Sequence, residues 1–179
     1  MPYFDAWIQS CLEKKDTVTL IARDEDDNEV LGVVIVELLK NQDAETTEDA
    51  PVKGKPNVCP QKLDAIFTFL DWMKKDLDLK RDHGIEQWAD VAILACNIDR
   101  RKPGLGTKLV DQAVNIMIEE VGVKALTSTA TSHYSGKIFQ KLGFDLVQET
   151  SYDEYKVDGR IVFPTEQPHS HARLFLKKI

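Results

Sequence analysis

The sequence predicts a mixed α+β domain built around one central sheet. Three observations carry this reading. Two β-branched runs, TVTLIAR (17–23) and VLGVVIVELL (30–39), flank the turn-forming DEDDNE and predict an antiparallel hairpin. An apolar run, WADVAILACN (88–97), is followed by a glycine-containing loop and then by residues at helical spacing. The last segment, ARLFLKK, reads as a closing strand. A length of 179 residues sets one domain, 1–179, as the expectation.

The elements follow in order. Phe4, Ile8, Cys11 and Leu12 are spaced for one face of a short helix ahead of the hairpin. Residues 40–60 carry three prolines, many charges and few apolar groups, and are expected to form an exposed loop. From Leu63, the positions Ile66, Phe67, Leu70, Met73 and Leu77 recur at helical spacing, and His83 falls beyond them in a polar loop. After the strand at 88–97 and the glycine loop, Leu105, Leu109, Ala113, Ile116 and Met117 mark a helix. Gly122 is placed to end it. VKALTSTA (123–130) predicts a strand, and SHYSGKIFQKLGF a short helix ending at Gly143. DLVQETSYDEYKV and RIVF flank Asp158-Gly159, a tight-turn pair.

Composition narrows the function. Lys and Arg number 23 against 30 Asp and Glu, a net charge of −7. That balance argues against non-specific nucleic-acid binding, which needs cations to displace counterions. No stretch approaches the ~18 apolar residues of a membrane span. The opening MPYFDAWIQSCLEKK does not read as a secretory leader. Cys11, Cys59 and Cys96 are far apart and odd in number, so neither a metal site nor a disulfide framework is expected. Thiols in a reducing cytoplasm are the expectation, in a chain that is more a monomer than an oligomer.

The most informative stretch is RRKPGLG. Strand, glycine loop and helix together form an anion-binding arrangement. The first amides of a helix lack intrahelical partners and sit at the positive end of its dipole. Glycines let an anion approach the backbone. Arg100, Arg101 and Lys102 add charge at the same mouth. The spacing fits neither GxGxxG nor GxxxxGK[ST], which excludes the dinucleotide fingerprint and the Walker A loop. A phosphate or pyrophosphate is the natural ligand. An ordinary loop whose glycines only turn the chain is the alternative.

Arg101-x-x-Gly104-x-Gly106 after a buried strand resembles the pyrophosphate motif of the GNAT acetyl-CoA-dependent N-acetyltransferases, and IFQKLGF (138–144) resembles another segment of that family. ATSHYSG (130–136), YKVDGRIVF (155–163) and PHSH (168–171) are similar to stretches of insect arylalkylamine N-acetyltransferases. The resemblance implies the GNAT fold: a central, mixed, mostly antiparallel sheet flanked by helices. It implies transfer of acetyl from acetyl-CoA, with no metal, to the primary amine of a small arylalkylamine of the dopamine, tyramine or serotonin type.

It also implies roles. Amides of Lys102, Gly104, Leu105, Gly106 and Thr107, beside Arg101, would hold the pyrophosphate. Main-chain groups of Leu94 and Cys96 would pair with pantetheine. Ser132 and Ser135 would line its thioester end. Phe139 stands where many relatives have a proton-donating tyrosine, so the hydroxyls of Thr131 and Ser135 are the candidate acid pair. Their bland alternatives are an N-cap for Thr131 or Ser132 and small-residue packing for Ser135. Pro103 removes one amide from the loop.

The family's preceding glutamate base has no counterpart in this sequence, so an N-terminally short domain is expected, and a non-catalytic acyl-CoA binder is the alternative function. His169 and His171 would point the same way on one strand and could serve as base. Structural roles are the alternative for them, as for His83 and His133. Trp7 could wall an aromatic pocket, although Trp7, Trp72 and Trp88 suit packing.

Overall fold

The computed structural model describes residues 8, 9, 12, 13, 16–41, 61–100 and 102–179, with side chains from residue 64 in the first helix. Most of the predicted first helix (with Trp7 and Cys11), residues 42–60 of the predicted loop (with Cys59) and Arg101 lie outside the described residues.

Strands β1 (Thr17–Arg23) and β2 (Val30–Lys40) form the hairpin. Lys40, assigned to the loop from composition, is the last residue of β2, where it pairs with Gln87. Helix α1 (Gln61–Lys74) follows, then a short helix α2 (Leu79–His83) that hydrophobic spacing missed. Its signal is in the caps. Asp78 accepts a hydrogen bond from the Arg81 amide, and Gly84, at φ 67°, ends the turn. His83 therefore closes a helix and is not in a loop.

Next come β3 (Gln87–Cys96), α3 (Leu105–Ile116) with a π-helical turn, Met117–Val121, at its end, β4 (Ala125–Ala130) and α4 (His133–Lys141). Strand β5 (Asp145–Ser151), the two-residue ribbon β6 (Lys156–Val157) and β7 (Arg160–Ile161), and β8 (His171–Lys178) complete the chain. The β6–β7 turn has Asp158 and Gly159 both at positive φ, as its sequence predicts.

The main sheet has the order β1-β2-β3-β4-β8-β5. Every pairing in it is antiparallel except β3–β4. Helices α3 and α4 cover one face, where Val34, Val36, Val91, Val110, Phe139 and Phe175 are buried together. On the other face α1 packs Phe69 and Met73 onto Ala172, Leu174 and Tyr152. The alternation of Leu174 and Phe175 between the two faces is the period of two expected of a strand covered on both sides.

The parallel pair is the feature that makes a site. The ladder runs through Ala89–Leu126 and Asp90–Thr127. Just beyond, the β2–β3 register shifts so that Ala92 is an extra residue on β3, a bulge that bends the strand. At the fork, side chains tie the strands. The Thr127 hydroxyl donates to the buried Asp90 carboxylate at 2.6 Å, and the Ser128 hydroxyl donates to the Val91 carbonyl at 2.9 Å. Lys74, from the end of α1, pairs with the other Asp90 oxygen at 2.7 Å, so the buried charge is satisfied on both sides.

Candidate functional site

Two cavities open where β3 and β4 part. The first, about 620 Å³, lies between the end of β3, the start of α3 and the start of α4. Leu94 and Cys96, Lys102, the Gly104–Thr107 turn, and Ser132, Ser135 and His169 all line it. Each predicted cofactor residue among those described is thus brought to one wall.

The loop's two glycines are there for different reasons. Gly104 precedes α3 at φ 79°, a left-handed conformation that L side chains adopt at a cost, although a Cβ there would meet nothing within 4 Å. Gly106 has ordinary φ, but its Cβ would lie 3.1 Å from Ile138 and 3.6 Å from the Cys96 sulfur. It lets α3, α4 and β3 approach one another. The Leu105 amide is turned inward to the Lys102 carbonyl at 3.1 Å, and the first intrahelical bond of the turn is made by Lys108 to Gly104. The amides of Gly106 and Thr107 thus remain without a partner among the described residues. No acidic side chain occupies the first turn of α3, so the positive end of its dipole is not offset there.

The cations are differently employed from the sequence expectation. Arg100 reaches back to the β1–β2 turn, bonding Asp27, with Glu29 at 3.3 Å and Asp24 at 3.4 Å. Lys102 pairs with Asp24 at 3.1 Å. The Asp26 amide, and then Lys102, hold the Asp24 carboxyl below the usual carboxylate range. Proximity in sequence to the loop suggested charge directed at an anion. The acidic turn, 71 to 73 residues away in the chain, was not visible as a partner. Lys102 nevertheless keeps its place on the cavity wall.

Ser132 caps α4. Its oxygen accepts the Ser135 amide at 3.1 Å, and the two hydroxyls lie 2.9 Å apart. Ser135 can also donate to the Ser132 carbonyl at 3.1 Å. The hydroxyl pair brought together is Ser132–Ser135. Thr131 lies on the neighbouring cavity, and its carbonyl is held by the Tyr152 hydroxyl at 2.8 Å. Burial pushes that phenol up to about 12, which keeps it a donor.

The histidine expectation is corrected. Strand β8 starts at His171, so His169 and His171 do not share a strand face. His169 lines the first cavity, but its Nδ1 accepts the His133 amide at 3.4 Å, which places the ring proton on Nε2. His171 bonds Ser170 through Nδ1 at 2.7 Å and is absent from both cavity walls. Trp72 stacks on Phe69, in the role the packing alternative gave it.

The second cavity, about 260 Å³, lies between β3, β4 and α1. Ile66, Phe67 and Leu70 form its helical wall, Phe139 its side, and Thr129 and Thr131 bring hydroxyl-bearing side chains. Leu94 and Ser135 line both cavities, so the two meet there. Among the described residues no carboxylate lines either cavity. No group of three or more His, Cys, Asp or Glu among them is arranged to hold a metal ion. No described helix is long and apolar enough to cross a membrane.

A six-stranded mixed sheet forked at its parallel pair, with a glycine loop and helix start at the fork, is the fold of the GNAT acetyltransferases. No family model matches the chain. Among solved structures it resembles arylalkylamine N-acetyltransferase 2 from Aedes aegypti, with a TM-score of 0.83 at 21% identity over 99% of this chain and 80% of that one. It also resembles mosquito arylalkylamine N-acetyltransferase like 5b, with a TM-score of 0.75 at 24% identity over 95% and 77%. A third similar structure is the Drosophila melanogaster polyamine N-acetyltransferase that forms N-acetylagmatine, with a TM-score of 0.68 at 17% identity over 90% and 74%.

Proposed function

We propose that the chain is a single N-acetyltransferase domain that moves acetyl from acetyl-CoA to the primary amine of a small arylalkylamine. One observation carries the reading. A long cavity on a glycine loop and a short apolar cavity meet at Leu94 and Ser135, in the fork between β3 and β4. Acyl transfer needs that layout, because two ligands must place one carbonyl and one nitrogen in contact.

Bound acetyl-CoA would supply the thioester. The Gly106 and Thr107 amides would take its pyrophosphate, and main-chain groups of Leu94 and Cys96 its pantetheine arm. The neutral amine nitrogen would bond the carbonyl carbon as the carbon–sulfur bond breaks. Ser135, linked to Ser132, would give the departing sulfur a proton and recover one from the nitrogen as the amide forms, and Thr131 is the second hydroxyl within the turn. The helical wall of Ile66, Phe67 and Leu70 would hold the apolar body of the amine. A cavity below the ~300 Å³ at which drug-sized pockets begin suits a monoamine better than a long acceptor. The net charge of −7 favours a cationic substrate.

A second reading, an acyl-CoA binder without turnover, draws on the absence of a carboxylate from both cavities among the described residues and on the engaged Nδ1 atoms of both histidines. Release of CoA thiol, followed with tyramine, dopamine, serotonin and agmatine, separates the two. Amine-dependent release is expected. A protein that melts higher with acetyl-CoA yet releases no thiol with any amine would establish the second reading.

A further inference from the structure

We infer that Thr129 reads the ring hydroxyl of the acceptor, making the site selective for hydroxylated arylalkylamines over their unsubstituted counterparts. The inference rests on the proposed acetyl transfer and goes beyond it by naming the selecting residue. Four hydroxyl-bearing side chains line the second cavity, Ser128, Thr129, Thr131 and Ser135. Ser128 is bonded to the Val91 carbonyl, and Ser135, bonded to Ser132, is the proposed proton donor. Thr131 is exposed at the mouth. The Thr129 Oγ1 is buried and has no hydrogen-bond partner among the described residues. An idle buried hydroxyl is costly, and native structures keep few of them.

Its position gives it a use. Thr127 and Thr129 share one face of β4 by the strand's period of two. Thr127 is spent on Asp90 at the fork, where the two strands still pair. Thr129 is the next residue outward on that face. With the amine at the Leu94–Ser135 junction, the ring would lie along Ile66, Phe67 and Leu70 and bring its hydroxyl toward Thr129, which lines the same cavity.

Thr129 as a residue is half-buried while its Oγ1 is turned out of reach of solvent. A turn of about 120° in χ1 moves the hydroxyl to another staggered position. The hydroxyl breaks no bond in turning, and it gains one when a ligand oxygen arrives.

The test compares tyramine with phenylethylamine on the wild-type chain, Thr129→Val and Thr129→Ser. Wild type should prefer tyramine in kcat/KM by about tenfold, the worth of one hydrogen bond in an otherwise apolar site. T129V, which keeps the shape and removes the hydroxyl, should abolish the preference while leaving KM for acetyl-CoA unchanged. T129S should retain it. T129V should melt at or above the wild-type temperature, because the hydroxyl has no structural partner to lose; a lower Tm would mark a structural residue and overturn the inference. A wild-type preference that survives T129V, or no preference at all, would overturn it while leaving acetyl transfer standing. If no amine is turned over, the proposed function falls, and calorimetric binding of tyramine in the presence of CoA decides the inference. Tighter binding than phenylethylamine, lost in T129V, supports it; equal binding, or none, overturns it.

Discussion

The two glycines of the loop can be separated by experiment, because one is required by conformation and the other by space. Gly104→Ala puts a Cβ into open surroundings at φ 79°. The left-handed conformation costs an alanine about 1–2 kcal/mol. Loss of unfolded-chain freedom returns about 0.4–1 kcal/mol. The net destabilisation is about 1 kcal/mol, a Tm fall of about 2–4 °C for a domain of this size. Gly106→Ala keeps an ordinary φ inside α3, where alanine gains up to about 1 kcal/mol of helix propensity. Its new methyl meets the mobile end of Ile138 at 3.1 Å, a contact that one rotamer change can relieve. G106A should therefore melt within about 1 kcal/mol of wild type. The assay is a thermal melt of each variant with and without acetyl-CoA. At about 100 times its dissociation constant the ligand adds about 2.7 kcal/mol to wild type. G104A should shrink that increment as well, since it displaces the amides of Gly106 and Thr107. A G104A protein that matches wild type in both melts would refute the argument from conformation, and so would G106A proving the more damaging of the two.

Two further predictions concern the fork and the capped turn. Thr127→Val removes the hydrogen bond to the buried Asp90 carboxylate and should cost about 1.5–3 kcal/mol, read from urea unfolding; a loss within error of zero would mean that Lys74 alone satisfies Asp90. His133 has its pKa lowered from 6.5, by burial first and then by Lys137, Arg173 and His169. The unfolded chain then binds more protons below pH 6.5, so stability should fall as the pH drops from about 6.5 until His133 itself protonates. An NMR titration of His133 with a midpoint at or above 6.5 would contradict this.

Much of this fold was legible because its elements have clean periods. Strand β2 and the stripe of α3 bury what their spacing says they bury, whereas β1 has no buried residue and β3 is buried only at Ala89–Val91, short of the fork. Helix α2 was missed because its five residues are too few for a period, and only Asp78 and Gly84 mark it. Of the site, the glycine loop and the Ser132–Ser135 turn could be read, since local backbone geometry makes both. Partnership across the chain could not. Nothing near RRKPGLG announces that Arg100 and Lys102 are held by the hairpin's acids, and nothing near PHSH announces that His169 accepts from the start of α4. The forked sheet depends on one bulge at Ala92 within an apolar run, which hydropathy cannot distinguish from its neighbours. Thr129 looked like any strand threonine until the neighbouring strand was seen to turn away.

The amides of Gly106 and Thr107 have a consequence for how this protein can change over time. A main-chain donor is indifferent to the side chain that accompanies it. A pocket floor made of such donors lets most surrounding positions accumulate substitutions, provided that the two glycines keep the turn open. Such a site constrains shape more than sequence, and the fold shared at a TM-score of 0.83 with only 21% identity is a likeness of shape.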